Sequence, residues 1–133
     1  MATVEAPIHP KIKEALVAGT ENSTTLVMRS VRNTERVYKN SAAKEVQKIE
    51  AEKPGDFMAF RHIVKGENYR KSFQETGDTE SSVWSCGQSM GLIDSIPTCK
   101  ELIDSIIAEA EDVLRNQIPA MLTPKALDGR SSL

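Results

Sequence analysis

The sequence predicts a mainly α-helical chain with one or two short strands, and three observations carry that prediction. Residues 98–115 hold a capping box followed by a long apolar stripe, the pattern of a helix with one face turned toward a core. Only one stretch, residues 24–29 (Thr-Thr-Leu-Val-Met-Arg), opens with β-branched residues between polar turn residues, as a strand should. The core-forming residues are also thin: aromatics make up 5% of the chain and there is a single Trp, Trp84. A lone strand and a sparse core suit a piece that completes its packing against something else.

In order along the chain, a lead containing Pro7 and Pro10 precedes a helix over residues 11–18, with Ile12, Ala15 and Leu16 at helical spacing and Gly19 as its stop. The strand at 24–29 follows, and no second strand of comparable quality is visible. Residues 34–52 read as helical, with Val37, Val46 and Ile49 on a charged surface; Asn40-Ser41 divides the stretch, and Ser41 is expected to cap the second part. Pro54-Gly55 marks a turn. Asp56 then introduces a short amphipathic helix carrying Phe57, Met58, Phe60, Ile63 and Val64, which ends at Gly66. Residues 67–80 are polar apart from Tyr69 and Phe73, and read as a loop or a ragged helix. The closing helix starts at Thr98, whose hydroxyl and the Glu101 carboxylate form the capping box after Pro97. Its stripe is Leu102, Ile103, Ile106, Ile107, Ala110, Val113 and Leu114. From Gln117 on, prolines, a glycine and serines predict a mobile tail.

Composition narrows the function classes. The 17 basic and 19 acidic residues nearly balance, for a net charge of −2. That leaves no basic field for nucleic acid and no polybasic anchor for a membrane. The longest uncharged run, residues 81–93, has 13 residues, short of the ~20 a membrane span requires. No signal peptide is visible, so the cytoplasm is the expected compartment. Cys86 and Cys99 are too few for a disulfide framework or a four-cysteine zinc site, and both are expected to be buried, reduced thiols.

The most informative stretch is that uncharged run, Ser-Ser-Val-Trp-Ser-Cys-Gly-Gln-Ser-Met-Gly-Leu-Ile. Read as a helix, it sets Gly87 and Gly91 on one face with Ser85 and Gln88 beside them. Each helix glycine costs about 1 kcal/mol relative to alanine, so close approach of a neighbouring backbone or of a ligand is implied. The residue pattern favours tight packing, with a ligand-lining helix as the alternative. His9, in a proline-bracketed loop, and His62, beside Arg61, lack any nucleophile arrangement and are expected in capping or surface roles. Glu109, Glu111 and Asp112 are a solvated helix face rather than a metal site. Arg29, Arg32 and Arg36 suggest an anion site, but ion pairs with Glu35 and its neighbours are the expectation. No glycine-rich phosphate cradle is present, and no catalytic or metal-ligating residue is assigned.

Three stretches, in order, resemble the nitronate monooxygenase family. They are residues 1–9 (Met-Ala-Thr-Val-Glu-Ala-Pro-Ile-His) with Lys11, Lys13 and Ala15; residues 26–37 (Leu-Val-Met-Arg-Ser-Val-Arg-Asn-Thr-Glu-Arg-Val) with Asn40; and residues 75–98 through Trp84-Ser85-Cys86-Gly87-Gln88 into the closing helix. The resemblance implies the C-terminal part of a (β/α)8 barrel that binds flavin mononucleotide (FMN). Residues 1–80 would be its helical substrate domain, 81–116 a helix at the barrel mouth plus the final outer helix, and 117–133 the tail. It implies that the chain begins just past a Gly-Thr-Arg-Phe segment belonging to the flavin phosphate site. Ser85, Gly87 and Gln88 would then be cofactor-binding residues. The implied reaction is oxidation of an alkyl nitronate by flavin and dioxygen to a carbonyl compound and nitrite. The chain alone is expected to be inactive, to bind no FMN and to self-associate through its final helix. Related branches reduce enoyl thioesters or quinones on the same fold, and a free-standing helical interaction module is the rival from another class.

Overall fold

The computed structural model describes residues 1–122. The chain divides into two compact units, Met1–Ile96 and Pro97–Leu133. The first opens with α1 (Pro10–Ala18), a short 3-10 turn (Glu21–Ser23), β1 (Thr24–Val27) and β2 (Glu35–Tyr38). It continues with α2 (Ser41–Glu52), α3 (Phe57–Val64) and α4 (Gly66–Arg70), which widens into a π-helical turn at Lys71–Thr76. An extended segment and a 3-10 turn, Gln88–Leu92, complete it. Two sequence signals work as expected. His9 caps α1 by accepting from the Lys11 N–H at 3.3 Å, and Asp56 caps α3 by accepting from the Ala59 N–H at 3.2 Å.

Within residues 34–40, expected to be helical, Glu35–Tyr38 instead form β2. It pairs antiparallel with β1 in the register Thr24↔Tyr38, Thr25↔Val37, Leu26↔Arg36 and Val27↔Glu35. The helical reading of residues 81–93 is also overturned. Ser85 sits opposite Val37 as a third rung, and the backbone bonds Tyr38 N–H to Trp84 O (3.0 Å) and Cys86 N–H to Arg36 O (3.1 Å) flank it. Burial there alternates, with Ser82, Trp84 and Cys86 inside and Ser85 and Gly87 outside, as a strand requires. Neither segment can hold its conformation alone. Each donates its backbone groups to the other, a non-local gain that overrides local helical spacing.

This small sheet separates two apolar clusters. Ile12, Leu16, Phe73, Trp84, Cys86 and Met90 lie together on one side; Val27, Met28, Val37, Ala43, Val46 and Phe60 lie together on the other. Trp84 anchors the first cluster. Tyr38 stacks on it at 4.4 Å, Phe73 meets it edge-on at 5.3 Å, and its indole N–H donates to Thr79 O at 3.3 Å.

Asn40, rather than the expected Ser41, caps α2. Its Oδ1 accepts from the Ala43 N–H at 2.8 Å, while its Nδ2 donates to Thr79 O and Ser82 O at 2.6 and 2.7 Å. One buried amide thereby starts a helix and pins the segment that leads to Trp84. Ser41 instead donates from its N–H and hydroxyl to Glu80 at 2.8 and 2.6 Å.

The second unit begins with α5 (Cys99–Asp112), whose Thr98–Glu101 capping box forms as the sequence predicts. The helix widens at Val113–Gln117 and continues as α6 (Ile118–Leu122). The apolar stripe side chains, Ile103, Ile106, Ile107 and Leu114 among them, are exposed. Cys99, expected to be buried, is exposed at the first turn of α5, a helix in which no residue is buried. The expected mobile tail falls mostly on residues 123–133, which lie outside the described residues. Among the described residues no helix is long and apolar enough to cross a membrane.

Candidate functional site

The residues expected to face a cofactor converge on the turn that follows the third rung of the sheet. Cys86 and Met90 point into the core, where Cys86 Sγ lies 3.5 Å from Met90 Sδ, and these two anchors fix the turn between them. Gly87 is extended (φ −80°, ψ 166°) and leads directly into the Gln88–Leu92 turn, which the Met90 N–H to Gly87 O bond closes at 3.0 Å. The result is a short, uncharged polar lip set over apolar floor residues.

The two glycines of this segment have different reasons to be glycine. A Cβ on Gly91 would lie 2.9 Å from the backbone nitrogen of Glu21, so Gly91 permits close approach of two backbones. That fulfils the packing reading. A Cβ on Gly87 would meet only Ser89, at 3.4 Å from its Oγ, so packing within this chain does not require Gly87 to be glycine.

Ser85 and Gly87 border a cavity of about 260 Å³ whose floor includes Leu16, Cys86, Met90 and Ile93. Gln88 lies beside this cavity, not among its lining residues. It is exposed, and its amide has no hydrogen-bond partner among the described residues. The Ser85 hydroxyl donates to Glu35 Oε1, so it is oriented by β2. Arg36 also lines the cavity, a residue the sequence reading set aside as an ion-pair partner. No period-two burial in β2 marks it, since Glu35, Arg36 and Tyr38 are all half-buried around Val37.

The expected ion pair of these arginines with Glu35 is not formed among the described residues. Arg36 Nη1 instead donates to Thr24 Oγ1 at 3.0 Å. Burial pushes the Cys86 thiol above its usual range, so at neutral pH it is an inert core thiol. His62 is exposed on the last turn of α3. His9 packs so closely on Gly77 that a Cβ there would lie 2.1 Å from His9 Nδ1. Glu111 pairs with Arg115 on the surface at 3.7 Å, and hydrogen bonds from Asn116 and Gln117 hold the Asp112 carboxyl below its usual value. Among the described residues no three His, Cys, Asp or Glu side chains are grouped to hold a metal ion.

A flavin site needs roughly 300–1,000 Å³ with most of the ligand enclosed. The 260 Å³ hollow is smaller, and its lip is open. The residues present therefore fit one wall of such a site: an uncharged edge with an unengaged amide at Gln88 and room beside Gly87.

Comparison with known proteins gives this geometry its context. The fold is similar to FabK from Thermotoga maritima, with a TM-score of 0.78 and 28% identity over 90% of this chain and 37% of that one. A point mutant of the same protein matches with a TM-score of 0.70 and 25% identity, over 90% and 34% of the two chains. Those structures are TIM barrels, and the chain corresponds to about a third of their length. A stretch of 34 residues is 53% identical to the (3aS,4S,5R,7aS)-5-hydroxy-7a-methyl-1-oxo-octahydro-1H-indene-4-carboxyl-CoA dehydrogenase of Rhodococcus jostii, and spans 26% of this chain and 10% of that enzyme. The Mycobacterium tuberculosis protein of the same name is 50% identical over 34 residues, with the same coverage. The nitronate monooxygenase family model matches residues 1–109, most of the chain and all of the turn that carries Gly87 and Gln88, and the chain belongs to that family.

Proposed function

We propose that this chain is the helical-domain and barrel-mouth portion of an FMN-dependent oxidoreductase that oxidises alkyl nitronates with dioxygen to carbonyl compounds and nitrite. The observation that carries the reading is the lip at Gly87 and Gln88: an open glycine and an unengaged amide on a rigid turn, within the stretch matched by the family model. The flavin supplies the electron transfer; this chain's residues shape and orient. Gln88 donates or accepts a hydrogen bond at the edge of the flavin or substrate. Gly87 leaves space for it, and Ser85 is held in register by Glu35. The apolar floor at Leu16, Met90 and Ile93 excludes water from that edge. The final helix covers a barrel wall with its stripe, and the protein works in the cytoplasm.

A second reading has specific support. The 53%-identical stretch is shared with an enzyme whose name describes a carboxyl-CoA dehydrogenase, which points to a flavin-dependent oxidoreductase acting on a thioester. The experiment that decides is an assay of the intact flavoprotein, barrel included, with propyl-1-nitronate under air. Nitrite release with oxygen consumption and no added nicotinamide supports nitronate oxidation. Nicotinamide-dependent turnover of an enoyl or acyl thioester, with no nitrite, refutes it in favour of the second reading.

A further inference from the structure

The sheet has a second feature that the redox reading leaves unused. β1 is the outer strand, with β2 on its other side, and along its outer edge runs a groove of about 530 Å³ between β1, the β1–β2 hairpin and α2. Two arginines, Arg29 and Arg36, are among the residues that line it. Among the described residues neither forms an ion pair, and the Arg29 side chain has no hydrogen-bond partner. Arg36 spends one N–H on Thr24 Oγ1 and keeps the rest of its fork.

The groove is held rigid by side chains from α2. Gln47 donates to Thr25 Oγ1 and to Leu26 O at 2.8 and 2.9 Å, which occupies one lone pair of the hydroxyl and leaves its proton to donate. Glu50 is the one carboxylate in the groove. Its Oε2 accepts from the Met28 N–H at 2.8 Å, and its Oε1 accepts from the Ser30 N–H and hydroxyl at 2.9 and 2.8 Å. Both oxygens are thus turned to the hairpin, where they hold Met28 in the left-handed region (φ 59°). That bend starts the hairpin that carries Arg29. Two cations against one fully engaged anion leave a net positive groove.

We propose that this groove binds phosphate-type anions, gripped by the Arg29 and Arg36 guanidiniums with the Thr25 hydroxyl as a further donor. A guanidinium presents paired N–H groups in a fixed fork, and a multi-oxygen dianion can meet two such forks at once. The groove's volume lies within the range of small-ligand sites. The assignment uses no redox step; Arg36 also lines the cavity beside Ser85 and Gly87, whereas Arg29 and Thr25 line this groove and not that cavity.

The test is a titration of the full 133-residue chain with inorganic phosphate, pyrophosphate and ADP at constant ionic strength, followed through backbone amide shifts. Saturable shifts are expected at residues 25–30 and 47–51, with pyrophosphate tighter than phosphate. Arg29→Gln should weaken pyrophosphate binding about tenfold, the loss expected for one charge-assisted fork. Lys11→Gln, on α1, carries the same charge change away from the groove and should leave the affinity unchanged. ADP binding tighter than pyrophosphate assigns the anion to a nucleotide, and equal affinity assigns it to the free ion. Absence of saturable shifts, equal response to chloride, or full affinity in Arg29→Gln overturns the proposal.

Discussion

Adding one methyl group separates the two glycines of the candidate site. At Gly91 the new Cβ would lie 2.9 Å from the Glu21 backbone nitrogen, and backbone cannot give way as a flexible side-chain end can. Gly91→Ala should therefore lower stability by about 1–3 kcal/mol, read as a drop in the thermal midpoint. Gly87→Ala meets ordinary contact only and should stay within about 0.5 kcal/mol of wild type. A midpoint loss in Gly87→Ala equal to that in Gly91→Ala would return both to a packing role. The two cysteines make a parallel pair: Cys86 is buried with its thiol pKa raised by desolvation, and Cys99 is exposed. A thiol reagent at neutral pH should modify one cysteine in the native chain and the second only on unfolding, because the thiolate is the reacting species. Fast modification of both would contradict the burial of Cys86. The separate reasons for Gly87 and Gly91 could not be read from spacing, since the contact that distinguishes them runs to Glu21, 70 positions from Gly91, whereas a Cβ on Gly87 would meet only Ser89.

Among the elements, Asn40 joins more parts of the fold than any helix propensity would suggest. Asn40→Ala removes the α2 cap and leaves the Ser82 carbonyl without its donor, while Thr79 O keeps only the Trp84 indole N–H. With a cap worth about 1 kcal/mol and the one orphaned buried carbonyl about 1–3 kcal/mol, the variant should lose roughly 2–4 kcal/mol, measured by urea unfolding. Asn40→Asp, which keeps the cap acceptor but not the two donated bonds, should lose most of that as well; near-native stability of both would remove the clasp from the account. The helices were legible because their determinants are local: Asp56 with Ala59, and Thr98 with Glu101, lie three residues apart. β2 was not legible, because Val37 has its partners at Thr25 and Ser85, 12 and 48 positions away. Residues 82–87 did carry a period-two signal, with Ser82, Trp84 and Cys86 buried in alternation. The coincidence of Gly87 and Gly91 at helical spacing masked it. Of the expected site, Ser85 and Gly87 were placed on one cavity rim, and the contribution of Arg36 emerged only with the sheet.

At the scale of the whole molecule, the chain has one uncharged lip and one small hollow of about 260 Å³, below the volume of a typical cofactor site. Its final helix exposes Ile103, Ile106, Ile107 and Leu114, and exposed apolar faces of this kind drive association. Sedimentation of the isolated chain should show self-association that Ile106→Lys relieves; a wild-type monomer at all concentrations would contradict it. Free FMN should not be quenched stoichiometrically by the isolated chain. The central claim is that the Gly87–Gln88 lip faces the flavin or its substrate in the intact enzyme. The most direct measurement is turnover, flavin content and thermal midpoint of the intact flavoprotein carrying Gln88→Ala or Gly87→Leu. The account predicts at least about a fivefold to tenfold loss in kcat/KM for Gln88→Ala, the equivalent of one hydrogen bond. It predicts a larger loss of activity or bound flavin for Gly87→Leu, with both midpoints close to wild type. Wild-type turnover and flavin content in Gln88→Ala, with a collapsed midpoint in Gly87→Leu, would contradict it.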